Sequence, residues 1–241
     1  MARALSKLGY CSRSQAQQLV RAGQVRLNGQ IRRDPETPVH LEQDDISVGG
    51  QPVVVPVRVY LMLNKPRGVV TTAADEKGRE TVYDYVGRDL PWVAPVGRLD
   101  KASEGLLLLS NDSEWAARIL APETHLDKTY HVQVGTVANQ ALLEAMRKGT
   151  KSSEGDALRV RSVRILRGGQ RNTWLEVVLD EGKNRHIRRL LAKLDVEVLR
   201  LVRVAIGPLL LGELPKGSLR PLTLVEKQAL DQACRDSSSL G

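Results

Sequence analysis

Apolar and polar positions change period several times along the chain. Ser12-Arg13-Ser14-Gln15 has the form of a capping box, with Ser12 as N-cap and Gln15 three places on. Ala16, Leu19 and Val20 then form an apolar stripe, while Arg13, Gln17 and Arg21 stand one turn apart on another face. The pattern predicts a helix running to Ala22 and stopped by Gly23. Val25-Arg26-Leu27 alternates, and Asn28-Gly29 is a two-residue hairpin signal, so a second strand is expected to follow. From Gly49 to Pro56 the periodicity lapses and the segment reads as a linker.

Beyond it, strands are expected at Arg58–Asn64, Gly105–Ser110, Thr129–Gly135, Leu158–Arg167, Trp174–Asp180 and Val196–Ala205. Helices are expected at Ser113–Leu120, Ala138–Lys148, Arg185–Leu194 and Leu224–Cys234, the last opened by a second capping box, Thr223-x-x-Glu226. There is no internal repeat and no regular strand–helix alternation. A mixed, largely antiparallel α+β fold is therefore favoured over a doubly wound one. The expected division is 1–56, 57–235 and a tail at 236–241, frayed at Ser237–Ser239.

Composition narrows the function. The chain has 241 residues, with 36 Lys and Arg against 28 Asp and Glu, a net charge of +8. That favours a polyanionic partner. Residues 1–33 hold Arg3, Lys7, Arg13, Arg21, Arg26, Arg32 and Arg33 and no acid, so the charge is concentrated as on a binding surface. Aromatics are 3% and Phe is absent, so any nucleic-acid binding would lean on charge and shape, with one or two rings at a defined place. Cys11 and Cys234 lie at opposite ends, and the four histidines have no ligand spacing, so neither a disulfide framework nor a metal site is expected. No apolar run approaches bilayer length and no signal segment opens the chain, which points to a cytoplasmic protein with no membrane partner.

Four segments carry candidate chemistry. Asn64-Lys65-Pro66-Arg67-Gly68 breaks a strand at a proline; taken alone it is a basic turn. Gly97-Arg98-Leu99-Asp100-Lys101-Ala102-Ser103-Glu104-Gly105 leads a charged loop into the run Leu106–Leu109. A carboxylate among cations, as Asp100 is here, is favoured in its ionised form and suits a nucleophile, although a structural salt bridge is the commoner fate. Lys128-Thr129-Tyr130 puts Lys128 and Tyr130 on one strand face, where Tyr130 either stacks on a base or fills the core. In Glu181-Gly182-Lys183-Asn184-Arg185-His186-Ile187-Arg188-Arg189, Asn184 can cap a helix whose apolar stripe is Ile187, Leu190, Leu191 and Leu194. Arg185 and Arg189 lie opposite, and Arg188 falls at the stripe's edge.

In this order the four segments resemble the RsuA family of ribosomal-RNA pseudouridine synthases. The residues Gly9-Tyr10-Cys11-Ser12-Arg13 and Gly23 to Gly29 resemble an S4 RNA-binding domain. Ser103 stands where the family has Thr, and Arg185-His186 replaces the common His-Gln. The resemblance implies an S4 domain followed by a pseudouridine synthase catalytic domain. It implies isomerisation of a uridine in ribosomal RNA, of the large subunit rather than the small, after the base is flipped out. Asp100 would be the nucleophile, or the base that starts glycal formation. Arg188 would pair with Asp100, and Tyr130 would stack on the uracil. Arg98, Lys65, Lys128, Arg13, Arg21, Arg26, Lys183, Arg185 and Arg189 would contact RNA. No cofactor or metal is called for. The partner would be ribosomal RNA or an assembly intermediate, met by a monomer. The rival reading is a non-catalytic ribosome-assembly factor on the same fold.

Overall fold

The computed structural model describes residues 1–238 except 55, 73, 74, 76, 88, 152–154 and 156. Its N-terminal part starts with α1 (Ala2–Lys7) and α2 (Arg13–Arg21). The Ser12 hydroxyl accepts from Gln15 N at 3.1 Å, and Gln15 Oε1 accepts from Ser12 N at 3.0 Å, so the capping box closes both ways. Strands β1 (Val25–Leu27), β2 (Gln30–Arg32), β3 (Ile46–Val48) and β4 (Gln51–Pro52) form an antiparallel sheet in the order β2-β1-β3-β4. Asn28 and Gly29 both take positive φ (50° and 78°), which a two-residue turn between twisted strands needs.

The expected linker is instead a second hairpin. Gly49 and Gly50 form its turn, with Val48 opposite Gln51 and Ser47 opposite Pro52. Its strands are too short to show a period, and Pro52 is tolerated because β4 is an edge. Ala2, Leu5, Ala16, Val20, Val25, Leu27, Ile46 and Val48 form the core of this part.

The larger sheet contains β5 (Tyr60–Lys65), β6 (Ala94–Val96), β7 (Glu104–Ser110), β8 (Lys128–Val134), β11 (Ser162–Gly168), β12 (Thr173–Leu179), β13 (Val198–Ile206), β14 (Leu209–Leu210) and β15 (Leu219–Pro221). Its main order is β11-β12-β8-β13-β7-β5-β15, with β6 on β7 and β14 on β13. Only β13 and β7 run parallel. A separate pair, β9 (Thr150–Lys151) and β10 (Ala157–Leu158), accounts for the start of the strand expected at Leu158–Arg167. That stretch is split because Leu158 pairs with Thr150, while from Ser162 the chain pairs with β12.

Helices α3 (Ser113–Leu120), α4 (Gln140–Lys148), α5 (His186–Lys193) and α6 (Leu224–Ser238) complete the fold; the end of the expected tail, 239–241, lies outside the described residues. Strand β7 carries an unbroken apolar run from Leu106 to Leu109 because both its faces are covered there. Leu106 and Leu108 join Met62, Trp115, Ile119 and Leu230 in one cluster. Leu107 and Leu109 join Leu61, Leu63, Val69, Val82, Val93 and Leu99 in another. A third cluster packs α4 and α5 on Val132, Val134, Leu175 and Val177. Among the described residues no helix is long and apolar enough to cross a membrane.

Candidate active site

The loop between β6 and β7 carries Asp100, and its main chain is clamped at every carbonyl from Leu99 to Ser103. The Thr71 hydroxyl donates to Leu99 O at 2.8 Å. The Lys65 ammonium donates to Asp100 O at 3.2 Å and to Ser103 O at 2.9 Å. Gly68 N donates to Lys101 O at 2.7 Å, and an Arg188 Nη donates to Ala102 O at 3.0 Å. Four donor groups from two distant segments thus fix one short loop. Gly105, just beyond it, has φ +101°, and a Cβ there would meet Arg203 O at 2.2 Å, so β7 and β13 can run together only past a glycine.

Lys65 is the plainest correction to the sequence reading. It is fully buried and cannot contact RNA. Burial pulls its ammonium from 10.5 down to about 8; nearby Asp100 and Glu104 act against this shift and Arg203 with it. A third hydrogen bond, to Pro66 O at 3.0 Å, uses its last N–H.

Arg188 is the second correction. Its guanidinium bridges Ala102 O and, at 3.3 Å, Val198 O, and among the described residues it forms no ion pair with Asp100. The nearest cation to that carboxylate is Arg185, at 3.8 Å from Oδ2. Burial, with Arg185 and Arg67 nearby, lowers the Arg188 pKa, and Asp100 opposes this. Its Nε and the Ser103 hydroxyl are buried without a protein partner. Arg185, with φ +48°, is the N-cap of α5 in place of Asn184, so its strained backbone aims the side chain.

Tyr130 is half-buried in β8 and packs against both the cluster containing Leu99 and the cluster containing Ile187, the neighbours of Asp100 and Arg188. The fold therefore brings three segments, separated by 30 and 88 residues from Asp100, to one seam.

The remaining expected contacts divide by exposure. Arg98 is exposed and has no hydrogen bond or ion pair among the described residues. Arg13, Arg21 and Arg26 are exposed; Arg13 lies 3.8 Å from Glu36, and Arg26 donates to Gly29 O at 3.1 Å. Lys183 is held by Glu181 at 2.9 Å and by Ala157 O at 2.9 Å. Arg189 is half-buried and donates to Asn184 O at 3.3 Å. Lys128 is half-buried, and burial lowers its pKa.

Sequence reading missed Glu104, Arg200 and Lys216. Glu104 is buried; Arg200 binds it through two nitrogens (2.8 and 3.0 Å) and Lys216 at 2.6 Å. Burial alone would raise its pKa, but these hydrogen bonds and charges prevail and hold it at about 2. An acid placed against a leucine run was the available signal, since burial there demands a partner.

Comparisons with known proteins identify the family to which these motifs belong. The profile of the family described as RNA pseudouridylate synthase matches residues 59–193, and that of the S4 domain matches residues 2–46. An RNA pseudouridine synthase of Aquifex aeolicus (strain VF5) is 38% identical over 231 residues, covering 95% of this chain and 92% of that protein. The ribosomal large subunit pseudouridine synthase B of Bacillus subtilis (strain 168) is 33% identical over 227 residues, covering 94% and 93%. A crystal structure of a pseudouridylate synthase superposes with a TM-score of 0.67 at 28% identity, over 95% of this chain and 98% of the other. The chain belongs to the RNA pseudouridine synthases, enzymes that isomerise uridine within RNA, and carries an S4 RNA-binding domain ahead of the catalytic fold.

Proposed function

We propose that this enzyme converts a specific uridine of ribosomal RNA, in the large subunit, to pseudouridine, with Asp100 as its catalytic carboxylate. The observation that carries the assignment is the clamped loop: its five carbonyls are tied down while the Asp100 side chain remains one-third exposed, facing Arg185. A fixed backbone under an accessible carboxylate suits a group that must meet a substrate atom at set distance. The large-subunit choice rests on the Bacillus relative.

The target uridine is extruded from its stack, since the glycosidic bond is otherwise out of reach. Asp100 either attacks C1′ or removes a ribose proton to open a glycal. The N1–C1′ bond breaks, the uracil turns, and a C5–C1′ bond forms. The C5 proton then leaves and N1 gains one, so the overall reaction is an isomerisation. Tyr130 stacks on the turning base. Arg188 acts on Asp100 through the loop it holds, and Arg185 takes the charge-facing place first expected of Arg188. Arg98 and the exposed arginines of α2 meet phosphates. Residues 1–56 and 57–235 act as two domains of a cytoplasmic monomer.

The test is pseudouridine mapping of ribosomal RNA from cells with and without this protein. A single large-subunit position should lose the modification and regain it with wild-type protein, but not with Asp100→Asn. A map unchanged on deletion would overturn the ribosomal assignment. Rescue by Asp100→Asn would overturn the catalytic one.

A further inference from the structure

A cleft of about 590 Å³ lies between α2 and the segment before β6. Its lining includes two aromatic side chains, Tyr10 and Trp92, and three amides, Gln15, Gln18 and Gln24, over an apolar floor that includes Leu19 and Ala22. Among the described residues no carboxylate lines it.

The rings are the unusual part. The chain has only three Trp and five Tyr. Four have internal partners: Tyr60 donates to Asp112, Tyr83 to Val93 O, Tyr85 to Glu80, and Trp115 to Asp231. Trp174 takes the guanidiniums of Arg167 and Arg200 over its ring, at 5.4 and 5.8 Å from the centroid, and Tyr130 belongs to the candidate active site. Tyr10 and Trp92 remain. Tyr10 is 39% exposed, and neither its hydroxyl nor the Trp92 indole N–H has a partner among the described residues. The side chains of Gln18 and Gln24 are likewise unpaired among the described residues. Two rings and four unused polar groups thus converge on one concave surface. Among the described residues none pairs with them.

We propose that this cleft takes an unpaired nucleobase from a single-stranded part of the substrate RNA, next to the uridine that reacts. Flat rings offer stacking to any base, and Gln amides can both donate to and accept from its edge. The charge fits an RNA strand: α2 contains no acid, and Arg21 flanks the Gln18 face one residue from Ala22. The placement also fits. Trp92 adjoins Val93, whose side chain shares a cluster with Leu99, and Leu99 adjoins Asp100. The Trp92 side of the cleft thus belongs to the same packed unit as the loop that carries Asp100.

The inference rests on the RNA-modifying reading above, so its test separates the two. Binding is measured by fluorescence anisotropy with labelled 12-nucleotide oligo(A) and oligo(U) single strands, and with a 12-base-pair RNA duplex. Pseudouridine formation on ribosomal RNA is followed in parallel. Wild-type protein should prefer the single strands. Tyr10→Ala with Trp92→Ala should weaken single-strand binding by about 10- to 100-fold, the range expected for removing two stacking platforms, with duplex binding nearly unchanged. Tyr10→Phe with Trp92→Phe should retain most of the preference. Gln18→Glu, an isosteric change at an exposed position that cannot disturb the core, should give the same selective loss by adding charge against the strand. Equal binding of single strands by wild type, the double Ala variant and Gln18→Glu overturns the proposal, as does equal loss toward duplex and single strand. If these variants fail to change single-strand binding while wild type still modifies its RNA, the cleft fails and the enzyme assignment stands.

Discussion

At the scale of single residues, the two basic side chains that clamp the Asp100 loop, Lys65 and Arg188, donate their hydrogen bonds to main-chain carbonyls. Lys65 has three N–H groups and three carbonyl acceptors, so its clamp is complete only when protonated. With its pKa at about 8, the neutral amine formed above that pH leaves one carbonyl short of a donor. The expected outcome is a kcat that falls as pH rises through about 8, with little change in KM. Stability should move the other way for this group. The folded pKa lies below the unfolded 10.5, so between those values the unfolded chain binds more protons, and the contribution of Lys65 to stability rises with pH. Activity lost in step with unfolding would contradict the clamp; kcat lost while the chain stays folded would support it. Arg188 gives a second check. One planar guanidinium spans Ala102 O and Val198 O, which a lysine point charge cannot reproduce. Arg188→Lys should lower kcat by about 10- to 100-fold, the range for losing a hydrogen bond from a charged donor. Arg185→Lys, which keeps a charge near Asp100, should cost far less. Equal effects in single-turnover assays would return Arg188 to a direct role at the carboxylate.

At the scale of elements, one glycine sets how β7 meets β13. Gly105→Ala forces a side chain into the positive-φ region and against Arg203 O, and neither backbone can yield without moving Asp100 or β13. Destabilisation of about 3 kcal/mol or more is expected by urea unfolding, the range of severe backbone strain. On α2, Arg13 and Arg21 are exposed, and among the described residues only Arg13 lies within 4 Å of an acid. Replacing both with Glu should weaken RNA binding and reduce its salt slope by about one unit for each phosphate no longer neutralised. The chemical step at saturating RNA should hardly change. These elements were legible because their signals are local. Ser113–Leu120 declares itself by its own period, the Asn28-Gly29 turn by its φ requirements, and β7 by an apolar run that only a strand buried on both faces would carry. The Gly49–Gly50 hairpin was read as a linker because two- and three-residue strands have no period, and β15 was missed because only β5 gives it a partner. Of the candidate site, the motifs were legible and their contacts were not. Nothing near Lys65 in sequence announces that its ammonium will meet Ser103 O, 38 residues away, or that Arg188 will reach Ala102 O across 86.

At the scale of the whole molecule, the cores fall into separate sets. Every member of the N-terminal cluster comes from residues 1–53, while the other three clusters begin at Val59. Among the described residues the contacts across the divide are polar or peripheral: Lys7 to Glu114 at 2.8 Å, both half-exposed, Gly9 against Asn111, and the open cleft that α2 shares with Trp92. An exposed ion pair of this kind contributes less than about 1 kcal/mol. Residues 57–241 should therefore fold without the first 56. Charge predicts what that fragment keeps. Residues 1–56 hold seven of the 36 cations and five of the 28 acids, a net of +2 out of +8, so most of the field that draws RNA stays with the catalytic part. The truncated protein should bind RNA with a salt dependence still marked, reduced only by the phosphates that α2 and its neighbours had neutralised. It should lose more in choice of site than in general affinity, because the exposed arginines and the α2 side of the Tyr10–Trp92 cleft leave together. Measured on total ribosomal RNA, expected behaviour is weaker and less selective pseudouridine formation by a fragment with a cooperative thermal transition. A fragment that is soluble and folded yet modifies the native site as selectively as the full chain would show that positioning resides wholly in the catalytic fold, and a fragment without a cooperative transition would show that the clusters form one unit.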